Sequence, residues 1–325
     1  MADIFITGGT GFVGTHMIRA LQSSGHHLWV LTRHIKPDMI KNDHINWVQG
    51  DLFHPKSYKQ CLNQVDYVFH LAGLIQARRQ EEYFNTNVKG TDLLLQVCSD
   101  RHVSLKRFVY MSSIAAMGPS YDGKLLNESS LCKPETEYGR SKLKAEECAL
   151  QYAGQIPVVI VRPTFIYGRG DLRGLKILES ILSQPLVLWS AFIGSLSVCH
   201  VSDVIEGCID CMEKQIKSGE IFILSDQMNY RVDSLLEIFK STFKKMINSK
   251  ACDSKNQLKC FSEKLEKIKL LPSNSAHCQH WACDIKKAKE QLVFQPKISL
   301  PEGAYDTIQW YLEKGLLFNK RGNSN

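Results

Sequence analysis

The chain has 325 residues, 44% of them hydrophobic, and a formal net charge of +7, enough for a large core or for one domain with a substantial second lobe. The positive balance is scattered and holds no long run of one sign, which argues against a nucleic-acid partner and suits a cofactor carrying several phosphates. The longest apolar run, PLVLWSAFIGSLSV from Pro185, is too short and too interrupted by Ser and Gly to span a bilayer, so no membrane partner is expected.

DIFIT (Asp3 to Thr7) reads as a buried strand, and FVGTHMIRALQSSG as a helix stopped at Gly25. LWVLT (Leu28 to Thr32), INWVQ (Ile45 to Gln49), DYVFHL (Asp66 to Leu71), RFVYMS (Arg107 to Ser112) and PVVIVR (Pro157 to Arg162) follow as strands. Between them, Pro55 to Asn63, Glu81 to Arg101 and Thr136 to Ala153 have helical spacing. Strands this apolar, alternating with helices, predict an α/β fold with a doubly wound parallel sheet of the Rossmann type. Past Arg162 the alternation weakens to one helix–strand pair, Ser202 to Cys211 and Glu220 to Leu224. The expected division is a dinucleotide-binding domain of residues 1–163 plus 200–226 and a smaller C-terminal substrate domain of 164–199 plus 227–318.

The turn after the first strand, TGGTGFVG, contains Gly9-x-Gly11-x-x-Gly14 and equally Gly8-x-x-Gly11-x-x-Gly14. A tight strand-to-helix turn needs residues that tolerate positive φ, and a pyrophosphate can approach only backbone without side chains. The helix start adds free N–H groups and the positive end of its dipole. An acidic residue ending the second strand would hold a ribose 2′-hydroxyl; this chain has Thr32 and Arg33 there, with Lys36 nearby, which favours the 2′-phosphate of NADP over NAD. Asp51, just past the third strand, is a candidate for the adenine amino group or an ordinary turn aspartate. Eleven cysteines, an odd number without regular spacing, predict reduced thiols. The first apolar run begins at residue 3, so no targeting segment is expected and a cytoplasmic location is.

TGGTGFVG, GDL (Gly50 to Leu52), HLAG (His70 to Gly73), NVKGT, MSSIAAMG, YGRSK, RPTFIYGRGD and HVSDV, in that order from Ala2 to about Gly207, resemble the extended short-chain dehydrogenase/reductase family. The resemblance implies a Rossmann domain, a nicotinamide cofactor, a small-molecule substrate and a homodimer built on helices around Leu93 and Leu143. It implies a catalytic trio. Tyr138 is the acid–base residue, Lys142 holds the nicotinamide ribose and lowers the tyrosine's pKa, and Ser113 hydrogen-bonds the substrate oxygen. Tyr138 and Lys142, at i and i+4, share a helix face; moving a phenol from about 10 to near 7 takes about 4 kcal/mol of differential interaction. It places Gly8, Gly11, Phe12, Val13, Gly14, Arg33, Asp51, Leu52, Leu71, Ala72, Gly73 and Pro163 at the cofactor, along with Tyr138 and Lys142. Asn87 matches an asparagine that orders the site; Tyr167 and His200 read as packing more than pocket.

Ile114 and Ala115 stand where sugar-nucleotide dehydratases carry an acidic pair, leaving no added acid and base for eliminating water. Phe165 stands where epimerases often carry an asparagine, so RPTFIYGRGD is more like the hydroxysteroid-dehydrogenase and dihydroflavonol-reductase branches. The expected activity is interconversion of a secondary alcohol and a ketone. The alternatives are a nucleotide-sugar epimerase with tightly bound NAD and a non-catalytic nucleotide-sensing or scaffold protein. His277, Cys278, His280 and Cys283 lack a recognised zinc spacing, so no metal is expected, and Cys208 and Cys211 read as packing.

Overall fold

In the first strand, β1 (Asp3–Thr7), Ile4 and Ile6 point to one face of a sheet and Phe5 to the other, and all three are fully buried. A strand buried on both faces belongs in the middle of a covered parallel sheet. The computed structural model describes residues 1–36, 39, 43–100, 105–183, 193–248, 255–266 and 278–317. After β1 come α1 (Phe12–Ser23), β2 (His27–Thr32), β3 (Ile45–Gln49), the short α2 (Lys59–Leu62), β4 (Tyr67–His70), the short α3 (Gln80–Tyr83) and α4 (Gly90–Ser99). Next are β5 (Arg107–Met111), α5 (Glu137–Gln151), β6 (Val158–Pro163), β7 (Phe165–Tyr167), α6 (Leu172–Ser183), β8 (Ile193–Leu196), β9 (Val198–His200), α7 (Val201–Glu213) and β10 (Glu220–Leu224). The chain ends with α8 (Val232–Asn248), α9 (Lys255–Glu266), β11 (Gln279–Trp281), α10 (Lys286–Leu292) and α11 (Leu300–Glu313).

Seven strands form one sheet in the order β10-β6-β5-β4-β1-β2-β3, every pairing parallel. The expected doubly wound Rossmann-type sheet is what forms. The apolar stripe Met17, Ile18 and Leu21 of α1 and Val204, Ile205 and Cys208 of α7 cover one face. Leu94 and Leu95 of α4 and Ala145 and Ala149 of α5 cover the other. Strand order reverses between β1 and β4, which opens a crevice at their carboxyl ends, where ligands bind in such sheets. A separate core joins α6, α8, α9 and α11 through Leu175, Leu236, Phe243, Leu258 and Ile308.

Two departures from the sequence reading matter. The helical stretch expected over Glu81 to Arg101 is interrupted by a π-helical segment, Phe84–Lys89, between α3 and α4. The short strands β7, β8, β9 and β11 were not legible, because three or four residues are too few to show a period. Of the apolar run from Pro185, residues 185–192 lie outside the described residues, and the rest forms β8 and the start of β9. Among the described residues no helix is long and apolar enough to cross a membrane. Nine cysteines there are free thiols, and Cys208 and Cys211 are core residues of α7, as expected.

Candidate active site

The glycine turn leaves β1 with Gly8 at φ +74°, a conformation that costs any residue with a Cβ. A Cβ on Gly8 would stand 2.6 Å from the Ala72 nitrogen, and one on Gly14 2.1 Å from the Gly8 oxygen. The turn closes through Gly11 N–H donating to Gly8 O at 3.0 Å. Gly11 is the N-cap of α1 and no side chain caps the helix, so its first N–H groups face outward as an anion cradle. Phe12 and Val13, both half-buried, start that helix. These features fit a dinucleotide's pyrophosphate.

Beside the cradle, β4 ends in His70, Leu71, Ala72 and Gly73. One tautomer of His70 satisfies a whole chain of bonds. Ala72 N–H donates to Thr7 Oγ1 (3.2 Å), and Thr7 Oγ1 to His70 Nδ1 (2.7 Å). His70 Nε2 then donates to Thr91 Oγ1 (2.8 Å), and Thr91 to the Asn87 carbonyl (2.6 Å). This needs a neutral ring, and burial, helped by the Lys142 charge, pushes the imidazole down to about 3. The chain ties the root of the cradle to α4. Leu71 N–H donates to Thr7 O at 3.2 Å, and a Cβ on Gly73 would stand 3.6 Å from Lys142 Nζ. The cradle and the lysine therefore share one crevice.

Ser113 follows the carboxyl end of β5, at the level of Pro163 by the Met111–Val161 register. It caps a short turn by accepting the Ala115 N–H at 3.1 Å, and its hydroxyl lies near enough to Tyr138 to favour the ionised phenol. α5 starts at the N-cap Thr136 and lies on that turn so closely that a Cβ on Gly139 would stand 2.3 Å from Ala115 O. Lys142, one turn on, is buried; its Nζ donates to Met111 O at 2.6 Å and sits 4.4 Å from the Tyr110 ring centroid. Ser113, Tyr138 and Lys142 thus gather at one edge of the sheet.

Burial holds Tyr138 above its ordinary value, outweighing the nearby Ser113 hydroxyl and Arg173 charge. Burial also pushes the Lys142 ammonium down to about 7, with Glu146 opposing it. A depressed folded-state pKa means the unfolded chain binds more protons between about 7 and 10.5. Stability therefore rises with pH above 7. Between pH 7 and 8.5 we expect Lys142 to contribute up to about 1.4 kcal/mol per pH unit. Urea unfolding of the wild type and of Lys142→Met checks this; equal pH slopes in the two proteins would refute it.

Behind the trio, Asn87 accepts from Leu74 N–H (2.6 Å) and donates to Leu74 O (3.0 Å) and to Ser141 Oγ (2.9 Å). Ser141 donates to Tyr138 O at 2.7 Å, so the π-helical segment braces α5. Sequence reasoning missed Glu146. It is fully buried, receives Arg162 through Nε (2.9 Å) and Nη2 (2.6 Å), and accepts a very short bond from Ser112. The signal was available: Tyr138, Lys142 and Glu146 fall at i, i+4 and i+8 on one face. Arg173, exposed on α6, was missed because only the fold brings it near Tyr138.

The remaining predicted residues fall as follows. Arg33 is exposed just past β2. Asp51 Oδ1 accepts from Phe53 N–H at 2.9 Å, an aspartate turn. Leu52 is a core side chain against Gly90, so only its backbone could meet a ligand. Pro163 ends β6 beside Leu224. Tyr167 and His200 pack edge to face at 5.3 Å, against Gly303 of α11. His277 lies outside the described residues, and among those described no cluster could hold a metal.

The profile of the NAD dependent epimerase/dehydratase family matches residues 4–225. The chain is similar to a 4-hydroxy-2-methyl-3-oxo-4-farnesyl-3,4-dihydroquinoline-1-oxide ketoreductase of Stigmatella aurantiaca, 29% identical over 73% of this chain and 72% of the relative. It is 25% identical to a UDP-glucose 4-epimerase of Vibrio cholerae over 96% of each. Among solved structures, MoeE5 in complex with UDP-glucuronic acid and NAD aligns with a TM-score of 0.76 at 23% identity, over 96% of this chain and 99% of that one.

Proposed function

Because the chain belongs to the NAD dependent epimerase/dehydratase family, we propose that it is a nicotinamide-dependent oxidoreductase that interconverts a secondary alcohol and a ketone, with Tyr138 as acid and base. The observation that carries this reading is that Ser113, Tyr138 and Lys142 share one edge of the sheet, where Lys142 Nζ bonds Met111 O and lies beside Gly73 next to the glycine cradle. When bound, the nicotinamide supplies or accepts a hydride at the carbonyl carbon. In the reducing direction the carbonyl π pair moves to oxygen, which takes the Tyr138 proton; oxidation returns that proton. Ser113 steadies the oxygen, Lys142 and Asn87 hold the ribose side of the crevice, and the Gly8–Gly14 turn binds the pyrophosphate. The kinship with a ketoreductase supports the alcohol–ketone reading.

The full-length kinship with an epimerase favours a second reading, in which the same trio returns the hydride to its own substrate. Residues 164–199 plus 227–318 are the substrate lobe in both. One experiment separates them. The protein, purified without added cofactor, is denatured and any released nucleotide identified; the native protein is then titrated with NADPH and NADH. For the reductase we expect reversible binding with at least tenfold preference for NADPH, reduced to below threefold in Arg33→Ala, since a guanidinium suits a 2′-phosphate. Release of tightly held, non-exchanging NAD would overturn the reductase and the role of Arg33 together.

A further inference from the structure

Phe165 leaves the carboxyl end of β6 two residues past Pro163, on the same edge as Ser113. Its ring is 45% exposed and belongs to no core cluster. It stands edge to face with the half-buried Trp281, ring centroids 6.2 Å apart. At this edge the exposed ring, paired with a second aromatic, offers an apolar face to a ligand.

Trp281 is tied to the catalytic helix. Its Nε1 donates to Gln279 Oε1 (3.3 Å), and Gln279 Nε2 donates to Glu135 Oε2 (3.0 Å). A single orientation of the Gln279 amide serves both bonds. Glu135 directly precedes the N-cap of α5, three residues before Tyr138. The strand carrying Trp281 also bridges to the segment that follows the Ser113 turn, through His280 N–H donating to Ser120 O at 2.7 Å. The aromatic pair and the acid–base pair are thus built on one frame. On the other rim, the first turn of α6 brings exposed Leu172, with a Cβ at nearby Gly170 standing 3.3 Å from the Phe12 ring of the cradle.

We propose that Phe165 and Trp281 form a flat apolar wall of the substrate site, which selects a ketone or alcohol carried on a rigid apolar ring system, and that Gln279 and Glu135 hold Trp281 in place. This rests on the alcohol–ketone reading of the site. A wall of this kind contacts the ring system and leaves the carbonyl to Ser113 and Tyr138. It offers nothing to a diphosphate.

The test is calorimetric binding of 2-tetralone and of UDP-glucose to the full chain saturated with oxidised cofactor. We expect 2-tetralone to bind and UDP-glucose not to. Phe165→Ala and Trp281→Ala should each weaken 2-tetralone at least tenfold, Gln279→Ala about threefold, and Trp281→Phe should keep affinity within threefold. Thermal unfolding confirms that each variant folds, and Phe165 is exposed enough to be replaced without loss of the core. No binding of 2-tetralone up to its solubility limit overturns the proposal, as does affinity indifferent to both aromatic residues, or binding of UDP-glucose instead. Binding that depends on the wall, without any turnover, would sink the proposed reaction and leave the wall standing.

Discussion

Replacing Tyr138 with Phe is expected to lower kcat by about a hundredfold to ten-thousandfold, the range that a positioned proton donor contributes. The substitution removes one oxygen and leaves the ring, which packs at 6.2 Å from Tyr83. The cradle at Gly8 to Gly14 and the Lys142 bond to Met111 O do not involve that oxygen. Cofactor affinity should therefore stay within threefold, and the loss should fall on kcat and kcat/KM alike, as for an interaction made in the transition state. Steady-state kinetics with cofactor titration in parallel checks this. Activity retained within tenfold would exclude Tyr138 as the proton donor. A phenol is protonated at neutral pH even at its ordinary value, and burial raises Tyr138 further, so it holds a proton for a carbonyl oxygen that gains charge.

The second large effect lies beneath the site. Glu146 is 1% exposed and Arg162 3%, and they form a two-bond pair in the interior. Such a pair gives little net stability over an apolar replacement, but removing one partner strands the other charge. Glu146→Ala is expected to cost about 3–5 kcal/mol, seen as a fall in Tm of roughly 4–7 °C for a chain of this size. The double variant Glu146→Leu, Arg162→Met should recover much of that loss, because neither charge is then buried and only the Ser112 hydroxyl loses its acceptor. A fall below 1 kcal/mol in the single variant, or no recovery in the double one, would show that the pair is not the buried unit described. Function would suffer with stability: Ser112, which donates to Glu146, adjoins Ser113, and Lys142 stands one turn before Glu146 on α5.

Several features are legible in the order of amino acids alone. The apolar strand cores, the helical spacing and the glycines of the first turn each depend on residues within a few positions of one another. Tyr138 and Lys142 are readable as a pair because four residues on a helix fix their common face. The partners of that pair are not readable. Lys142 reaches Met111, 31 positions away, and Arg162 reaches Glu146 across 16. The burial that raises the tyrosine and lowers the lysine is unreadable for the same reason.

The sequence by itself determined the order of the sheet's seven strands along the chain, the glycine cradle and the shared helix face of Tyr138 and Lys142, since local sterics and hydrophobic period are short-range properties. Tertiary structure alone decided what those groups are worth. Parallel register sets Ser113 level with Pro163 and beside Tyr138. The packing of α5 on the Ser113 turn buries Lys142, and β11 brings Trp281 against Phe165, 116 positions apart in the chain. Burial and long-range contact arise only when distant segments are packed together, and they fix the protonation of the site and the surface it offers a substrate.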